Sequence, residues 1–184
     1  MTNTKVQATL LRELSSAAIS SPIRDAEARK LPYLQAVIKE GLRIFPPVAA
    51  LFLKDVPAGG DTINDIFVPG GTAIGSSPFG LMRNTKVWGE DASLFRPERW
   101  LEGDAEEIQK KESNLDLVFG YGKYQCLGKN IARMELNKIF VEVCSFRLWR
   151  DGSCVPSFLS DLTYVAPSKL RVFDHRPHKA LAFV

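Results

Sequence analysis

The chain has 184 residues, of which 45% are hydrophobic, 10% aromatic and 24% charged, as expected for one globular domain or part of a larger one. Its net charge of +3 is spread along the sequence, and no basic block indicates a nucleic-acid-binding surface. The three cysteines lack the spacing of a zinc site or a disulfide framework, which favours an intracellular, reducing compartment, and no apolar run is long enough to span a membrane.

The first part of the chain contains two predicted helices. Apolar residues at helical spacing predict a helix from Thr4 to Ile19. Pro32 opens a second helix in its first turn, and Pro46 and Pro47 end it. The apolar face of this second helix carries Leu34, Val37, Ile38 and Leu42.

Short β-type segments follow the second helix. They are joined by turns at "PAGG" and "VPGG" and span Leu51–Val56, Thr62–Val68 and Thr72–Ser76. A short helix is predicted at Pro78–Asn84. The aromatic residues of Trp88–Trp100 indicate a packed loop, and the charged segment "EGDAEEIQKKESN" is predicted to be a mobile surface insert.

The last predicted helix runs from Gly128 to Val143. Its inward-facing residues are predicted to be Ala132, Leu136, Ile139, Phe140 and Val143. No convincing periodic pattern follows Ser145. The sequence therefore predicts a mainly α fold with a small β-sheet.

The stretch "FGYGKYQCLGKN" places Cys126 among Gly120, Gly122 and Gly128. Glycines permit backbone conformations and close approaches that other residues do not, and the start of a helix stabilises an anion. These features favour a thiolate that binds a metal. The alternative is a glycine-rich turn around a buried cysteine that acts as a small hydrophobic residue.

The spacing Phe-x-x-Gly-x-x-x-Cys-x-Gly has about one chance match in a thousand in a chain of this length. The stretch resembles the haem-binding loop of cytochrome P450 monooxygenases. That resemblance implies that Cys126 is the proximal thiolate ligand of the iron of haem b (iron protoporphyrin IX), and that Phe119, Gly122 and Gly128 also belong to the cofactor site.

The resemblance implies further contacts around the haem. Tyr124 stands where most members carry an arginine or histidine that binds a haem propionate, and its hydroxyl can donate a hydrogen bond there. Lys54 stands roughly where members place a propionate-binding arginine, although an exposed hairpin lysine is an equally good reading. Residues Ala49–Leu53 would line the substrate pocket.

A second signature lies in "QAVIKEGLRIFPP", where Glu40 and Arg43 share one helix face. A surface ion pair is the simpler reading. The order Glu-x-x-Arg, Pro-Pro and then "FRPERW" nevertheless resembles the same family, and it implies that Glu40, Arg43 and Arg99 form one buried cluster that holds the haem loop without contacting substrate.

The resemblance covers about residues 4–143. It implies that residues 1–143 are the haem-proximal, C-terminal part of a cytochrome P450 domain and that residues 144–184 are a divergent tail. Members are longer, and the oxygen-binding helix with its Ala-Gly-x-Asp-Thr-like stretch does not occur in this sequence. We therefore expect that the isolated chain binds haem weakly or not at all and is inactive.

The function that the resemblance implies is a haem-thiolate monooxygenase. Such an enzyme inserts one oxygen atom from O2 into a small organic substrate, uses electrons from an NADPH-dependent reductase and is often anchored at the endoplasmic reticulum. No catalytic residue beyond the axial ligand is expected in this chain. The alternatives are a truncated, non-catalytic remnant or haem-binding fragment, and a member that uses peroxide or isomerises its substrate.

Overall fold

The computed structural model describes residues 3–151 and 181–182. Helices dominate this part of the chain and short strands form small sheets, so the predicted α+β fold class is confirmed. The α-helices are α1 (Thr4–Ser16), α2 (Asp25–Ala28), α3 (Pro32–Ile44), α4 (Pro78–Leu81), α5 (Thr85–Trp88), α6 (Ala105–Asp116) and α7 (Lys129–Asp151). The strands are β1 (Phe52–Asp55), β2 (Asp61–Ile63), β3 (Ile66–Val68), β4 (Ala73–Ser76) and β5 (Leu181–Ala182). Short 3₁₀ helices lie at Pro97–Trp100, Leu117–Phe119 and Gly122–Tyr124.

Helix α1 follows the predicted pattern but is shorter than predicted. The side chain of Asn3 caps it by accepting a hydrogen bond from the Val6 amide at 3.4 Å. The helix ends at Ser16 because Ala17 already has an extended backbone, so the predicted end at Ile19 was wrong. Its buried residues repeat every helical turn and are Val6, Leu10 and Leu14.

Helix α3 has the predicted bounds and is capped by a neighbouring helix. The carboxylate of Glu13, on α1, accepts hydrogen bonds from the backbone amides of Tyr33 and Leu34, both at 2.8 Å. Leu31, at the N-cap position, has no side-chain oxygen for this purpose. The charge of Glu13 also lies at the positive end of the α3 dipole, so it both caps and orients the helix.

The strands form one three-stranded sheet and one hairpin. Strand β4 lies in the centre of the sheet, antiparallel to β1 and parallel to β5. The hairpin pairs β2 with β3, so the prediction of one continuous strand at Thr62–Val68 was wrong. The chain turns at Asn64 and Asp65, whose φ angles are 48° and 63°, a conformation that these two residue types tolerate better than most.

The charged segment that was predicted to be a mobile surface insert lies at the surface and forms helix α6, which the sequence did not predict. Asp104 caps the helix by accepting a hydrogen bond from the Glu107 amide at 2.8 Å. Glu106 and Glu107 lie in its first turn, where the helix dipole favours negative charge. Leu115 is only 2% exposed and anchors the other end of the helix in the core.

Helix α7 has the predicted type and begins one residue later than predicted. Of the residues predicted to face inward, Leu136 and Phe140 pack against the first hydrophobic cluster described below and Ala132 against the second. Ile139 is 56% exposed and Val143 is 37% exposed, so the prediction that they face inward was wrong. Among residues 129–145, Asn137, Val141 and Cys144 are the most deeply buried. The helix continues to Asp151, beyond the predicted end, and the segment 152–180 of the predicted tail lies outside the described residues.

Two hydrophobic clusters meet at α3 and position the site. The first joins α1, α3 and α7 through residues that include Leu10, Leu14, Leu34, Val37, Val141 and Cys144. The second consists of Ala36, Met82, Trp88, Ala92, Trp100, Leu115, Val118 and Phe119. The aromatic-rich segment predicted as a packed loop therefore lies in the second cluster. Each large apolar side chain buried in these clusters contributes roughly 1.5–3 kcal/mol.

Candidate functional site

The backbone around Cys126 is closed by its own hydrogen bonds; residues 117–128 are named here the Cys126 loop. The Cys126 amide donates to the carbonyl of Phe119 at 2.7 Å, and the Gln125 amide donates to that of Gly122 at 3.0 Å. Helix α7 begins at Lys129. Cys126 thus lies just before a helix start, where unpaired amides and the helix dipole favour a negative charge.

The three glycines of the loop differ in how strictly the structure needs them. Gly120 has φ of 77°, and a Cβ there would lie 2.8 Å from the carbonyl oxygen of Tyr124. Gly122 has φ of 62° with open space around it, so its backbone conformation alone favours glycine. A Cβ at Gly128 would make an ordinary contact with the Cys126 sulfur at 3.7 Å. The absence of a side chain at Gly128 therefore keeps space free directly beside the sulfur.

Cys126 is exposed, and so are the large apolar side chains that follow and precede it. Leu127 is 101% exposed. Ile131, one turn into α7, is 58% exposed, and Tyr121 is 77% exposed. Water-exposed apolar surface is unfavourable by about 25 cal/mol per Å², so a broad apolar ligand that covers this stretch is stabilised.

Phe119 lies in the hydrophobic core and anchors the start of the Cys126 loop there. Its ring is 8% exposed and belongs to the second hydrophobic cluster, while its carbonyl accepts the Cys126 amide. The guanidinium of Arg133 lies 5.7 Å from the centre of the Phe119 ring. The structure thus places this ring among the buried residues that hold the start of the loop.

Lys54 and Tyr124 are far apart in sequence and adjacent in the structure. The ammonium nitrogen of Lys54, on β1, lies 4.6 Å from the centre of the Tyr124 ring. The ammonium of Lys123 lies 5.2 Å from the same ring. Positive charge therefore borders the Cys126 loop at Tyr124. Lys123 was missed at the sequence level because a lysine in a loop carries no signal of its own.

Glu40, Arg43 and Arg99 lie together in the interior and, with Trp100, are named here the Glu40 cluster. Glu40 and Arg43 are 0% exposed and Arg99 is 2% exposed. Arg43 forms a two-point pair with Glu40, at 2.9 and 2.8 Å, and Arg99 donates to the same carboxylate at 3.0 Å. The Glu40 carboxylate also accepts the Arg96 amide at 2.8 Å and the Trp100 indole at 3.0 Å.

Both guanidinium groups also bind backbone carbonyls of the segment between α4 and the 3₁₀ helix at Pro97–Trp100, a segment that includes α5. Arg43 donates to Met82 at 2.7 Å and to Ala92 at 2.6 Å. Arg99 donates to Trp88 at 3.0 Å. The buried charges are therefore paired and their remaining donors are used, which is the condition under which a buried ion pair is tolerated.

Asp91 connects the cluster to the surface. Its carboxylate accepts hydrogen bonds from Arg96 at 2.6 Å and from Arg99 at 3.2 Å. Partial burial by itself raises the pKa of Asp91, but the hydrogen bonds and charges of these two arginines outweigh it and hold the pKa below its ordinary value. Asp91 thus stays ionised and balances part of the positive charge of the cluster.

Trp100 was missed at the sequence level although "FRPERW" drew attention to its neighbour Arg99. The available signal was that a buried indole N–H needs an acceptor, and Glu40 supplies it. The Trp100 ring packs in the second hydrophobic cluster together with Val118 and Phe119. One side chain therefore binds the buried carboxylate and belongs to the hydrophobic cluster that includes the residues at the start of the Cys126 loop.

The residues around Cys126 fit a haem. The sulfur is exposed, Gly128 leaves space beside it, and the neighbouring apolar side chains offer a surface for a flat apolar macrocycle. The ammonium groups at Tyr124 suit the carboxylates of such a group. Haem iron takes its in-plane ligands from the porphyrin and one axial ligand from the protein, which a single thiolate provides. The arrangement is therefore compatible with a thiolate ligand to haem.

Comparison with known sequences agrees with such a site. The sequence profile described as Cytochrome P450 matches residues 1–163, and the chain belongs to this family. It is similar to the cytochrome P450 monooxygenase ABA1 of Pyricularia oryzae, with 50% identity over 121 residues, which is 66% of this chain and 24% of that protein. It is also similar to the cytochrome P450 monooxygenase aba1 of Botryotinia fuckeliana, with 45% identity over 147 residues, which is 78% of this chain and 29% of that protein.

A third relative is matched over a similar share of its length. The cytochrome P450 monooxygenase abl1 of Leptosphaeria maculans is 44% identical over 151 residues, which is 79% of this chain and 26% of that protein. The chain thus spans between 24% and 29% of the length of these relatives. The prediction of a fungal-type cytochrome P450 is confirmed by the family match and by these relatives.

None of the helices described within residues 3–151 combines the length and the apolar character needed to cross a membrane. In the same part of the chain, no group of three or more histidine, cysteine, aspartate or glutamate side chains is arranged to hold a metal ion.

Proposed function

We propose that this chain supplies the proximal, thiolate-bearing wall of a haem-thiolate monooxygenase, with Cys126 as the axial ligand of haem b. The observation that carries the proposal is the exposed Cys126 sulfur on a glycine-shaped loop, in a chain that matches the cytochrome P450 profile. When bound, the haem supplies the oxygen chemistry, and an axial thiolate favours cleavage of the O–O bond.

The chain's own residues position and protect that ligand. Gly120 and Gly122 allow the loop to turn, and the Cys126 amide, bound to the Phe119 carbonyl, fixes where the sulfur stands. Gly128 keeps side-chain atoms out of the space beside the sulfur. The role assigned to Lys54, Lys123 and Tyr124 is to bind the carboxylates at the edge of the haem.

The Glu40 cluster acts as a positioning unit in this proposal. Its charged groups are buried, and in the described part of the chain none of their side-chain hydrogen bonds goes to residues 117–128. Its influence passes through Trp100, which binds Glu40 and packs in the same cluster as Phe119. Loss of the cluster would therefore loosen the loop and shift the sulfur rather than remove a reacting group.

The rest of the assignment concerns the whole protein. Residues 1–143 form the haem-proximal part of the domain in this proposal, and residues 144–184 are a divergent tail. The substrate is a small organic molecule that approaches the haem beside Ala49–Leu53, where Leu51 and Leu53 are exposed apolar residues. Electrons come from an NADPH-dependent reductase, and the protein works inside the cell.

The decisive test uses a chimaera that joins the part of the Botryotinia fuckeliana relative preceding the aligned segment to this chain. The reduced chimaera treated with carbon monoxide is expected to show the long-wavelength Soret band of a thiolate-ligated haem. Cys126→Ser is expected to abolish this band, whereas Cys144→Ala, which removes a thiol far from the loop, retains it. A thiolate band that persists in Cys126→Ser would show that another residue is the ligand.

The isolated 184-residue chain is expected to bind haem weakly and not to turn over. The reason is geometric: Cys126 and Leu127 are exposed, so the described residues cover a bound haem on one face only. Titration of the purified chain with ferric haem measures this directly. A tight complex of the isolated chain with haem, together with turnover, would contradict the expectation. A chimaera that binds haem but does not consume NADPH and oxygen with substrate would favour the alternative of a non-catalytic haem-binding protein.

A further inference from the structure

The Cys126 loop is bounded by two oppositely charged residues that pair with each other. Asp116 is the last residue of α6, directly before the loop, and Lys129 is the first residue of α7, directly after it. The Lys129 ammonium donates to the Asp116 carboxylate at 2.6 Å. Arg133, one turn further along α7, donates to the other oxygen of the same carboxylate. One carboxylate therefore joins the two ends of the loop.

The helices themselves do not explain where these two charges stand. A carboxylate in the last turn of a helix and an ammonium in the first turn are both unfavourable beside the helix dipole. Asp116 ends α6 and Lys129 begins α7, so each charge stands at the unfavourable end of its own helix. Their ion pair offsets both costs. What the pair stabilises is therefore the connection between the two helices, which is the Cys126 loop.

Few other contacts fix the part of the loop that carries the sulfur. Residues 121–127 are all exposed, and among residues 3–151 no side chain of the loop forms a hydrogen bond. The Cys126 amide is held by the Phe119 carbonyl at 2.7 Å. The guanidinium of Arg133 lies 5.7 Å from the centre of the Phe119 ring. Arg133 thus binds the carboxylate before the loop and lies beside the residue that accepts the Cys126 amide.

We propose that Asp116 is a positioning residue that ties the ends of the Cys126 loop together and so holds the sulfur in place. Lys129 and Arg133 are its partners in this role. A loop whose ends are joined samples fewer conformations, so the sulfur is ordered before a ligand arrives. The inference rests on the proposed function only in treating that sulfur as a ligand atom.

The first measurement is amide hydrogen exchange of the 184-residue chain without haem. Asp116→Asn keeps the size of the side chain and removes its charge. It is expected to speed exchange of the Cys126 amide about three- to tenfold, because partly exposed ion pairs contribute modestly to stability. The Leu34 amide, which donates to Glu13 from the start of α3, is the reference in the same sample. Its exchange rate should change by less than about twofold, since it lies outside the loop.

Glu112→Gln is the matched control. Glu112 lies one turn before Asp116 on α6, its side chain is likewise 36% exposed, and it pairs with Lys39 of α3. Glu112→Gln should leave exchange of the Cys126 amide unchanged, because that pair does not join the ends of the loop. Lys129→Gln should speed exchange as Asp116→Asn does, whereas Lys129→Arg keeps the charge and should not. The double variant Asp116→Asn with Lys129→Gln should add little, since both changes remove the same pair.

The second measurement reports on the sulfur itself and does not respond to a small loss of overall stability under native conditions. A nitroxide label is attached to Cys126 in a Cys154→Ser background, while Cys144 is 0% exposed and thereby protected from the label. In Asp116→Asn, the electron paramagnetic resonance spectrum is expected to show a larger mobile component. In Glu112→Gln, it should match that of the unsubstituted chain.

The positioning role is wrong if Asp116→Asn and Glu112→Gln give the same result in either measurement, or if exchange at Leu34 speeds as much as at Cys126. If Asp116→Asn does not fold, Lys129→Gln takes its place, with Lys129→Arg as its control. Neither measurement needs haem, so a negative result leaves the proposed function standing. A confirmed role for Asp116, together with a thiolate band that survives Cys126→Ser in the chimaera, would overturn the proposed function and keep the role of Asp116 in the loop.

Discussion

Glu40 is buried and Cys126 is exposed, so the two residues occupy contrasting environments in the same protein. The Glu40 carboxylate is 0% exposed and accepts hydrogen bonds from two guanidinium groups, an indole and a backbone amide. The Cys126 sulfur is exposed and stands beside a leucine that is 101% exposed. The Glu40 carboxylate has its hydrogen-bond partners within the protein. The sulfur of Cys126 and the apolar side chain beside it are instead open to a ligand.

This difference separates residues that maintain the fold from residues that face a ligand. A buried charged group must find all its partners within the protein, because unpaired burial is costly. A ligand-facing group is free to lack partners in the protein, since water serves in its place until the ligand binds. The Glu40 cluster is therefore expected to control stability, and the Cys126 loop is expected to control binding.

The largest effect is expected for Glu40→Gln. Removing the negative charge leaves Arg43 buried without a counter-ion and Arg99 paired with Asp91 alone, and the free energy of unfolding should fall by about 3–5 kcal/mol. Urea denaturation of the purified chain, followed by tryptophan fluorescence, measures this loss. Glu135→Gln, at an exposed position of α7, is the matched control and should change stability by less than about 0.5 kcal/mol. Equal stabilities of the two variants would show that the Glu40 cluster contributes no net stability.

A smaller loss is expected for Trp100→Phe, which keeps an aromatic ring and removes the indole N–H. The hydrogen bond lost is to a charged acceptor, so the free energy of unfolding should fall by about 1.5–3 kcal/mol. Trp88→Phe is the control, because its indole donates to the neutral carbonyl of Leu81 at 3.0 Å and should cost about 0.5–1.5 kcal/mol. Both values come from the same denaturation experiment. A cost for Trp88→Phe that equals or exceeds that of Trp100→Phe contradicts the assigned role.

The helical spacing of apolar residues and the prolines at helix ends predicted the helices that carry a continuous apolar face. Leu10 and Leu14 in α1, and Val37 with Ile38 in α3, repeat at helical spacing, and the prolines around α3 mark its bounds. Helix α6 was missed because it buries little apolar surface besides Leu115, and its stability comes from capping and helix-dipole effects that a hydrophobic pattern does not register.

The site residues that belong to a sequence motif could be predicted. Those brought together only by tertiary contacts could not. Cys126 and the glycines could be selected because their spacing is rare, and the grouping of Glu40 with Arg99 came from family resemblance rather than from any local signal. Lys54 and Lys123 approach each other only because β1 lies beside the Cys126 loop. The burial of Asn137 in place of Ile139 likewise depends on which helices surround α7. No local pattern encodes such contacts.

The smallest effects on stability, and the sharpest contrast, are expected within the Cys126 loop. Gly120→Ala forces a side chain into a left-handed backbone and within 2.8 Å of the Tyr124 carbonyl, so the free energy of unfolding should fall by about 1–2 kcal/mol. Gly128→Ala places its methyl at an ordinary 3.7 Å from the Cys126 sulfur, and the unfolding free energy should change by about 0.5 kcal/mol or less. Yet that methyl occupies the space beside the ligand atom, so Gly128→Ala should weaken haem binding in the titration and lower the thiolate band of the chimaera. If Gly128→Ala instead lowers stability and leaves haem binding intact, the glycine is needed for folding, and the haem does not occupy the space beside the sulfur.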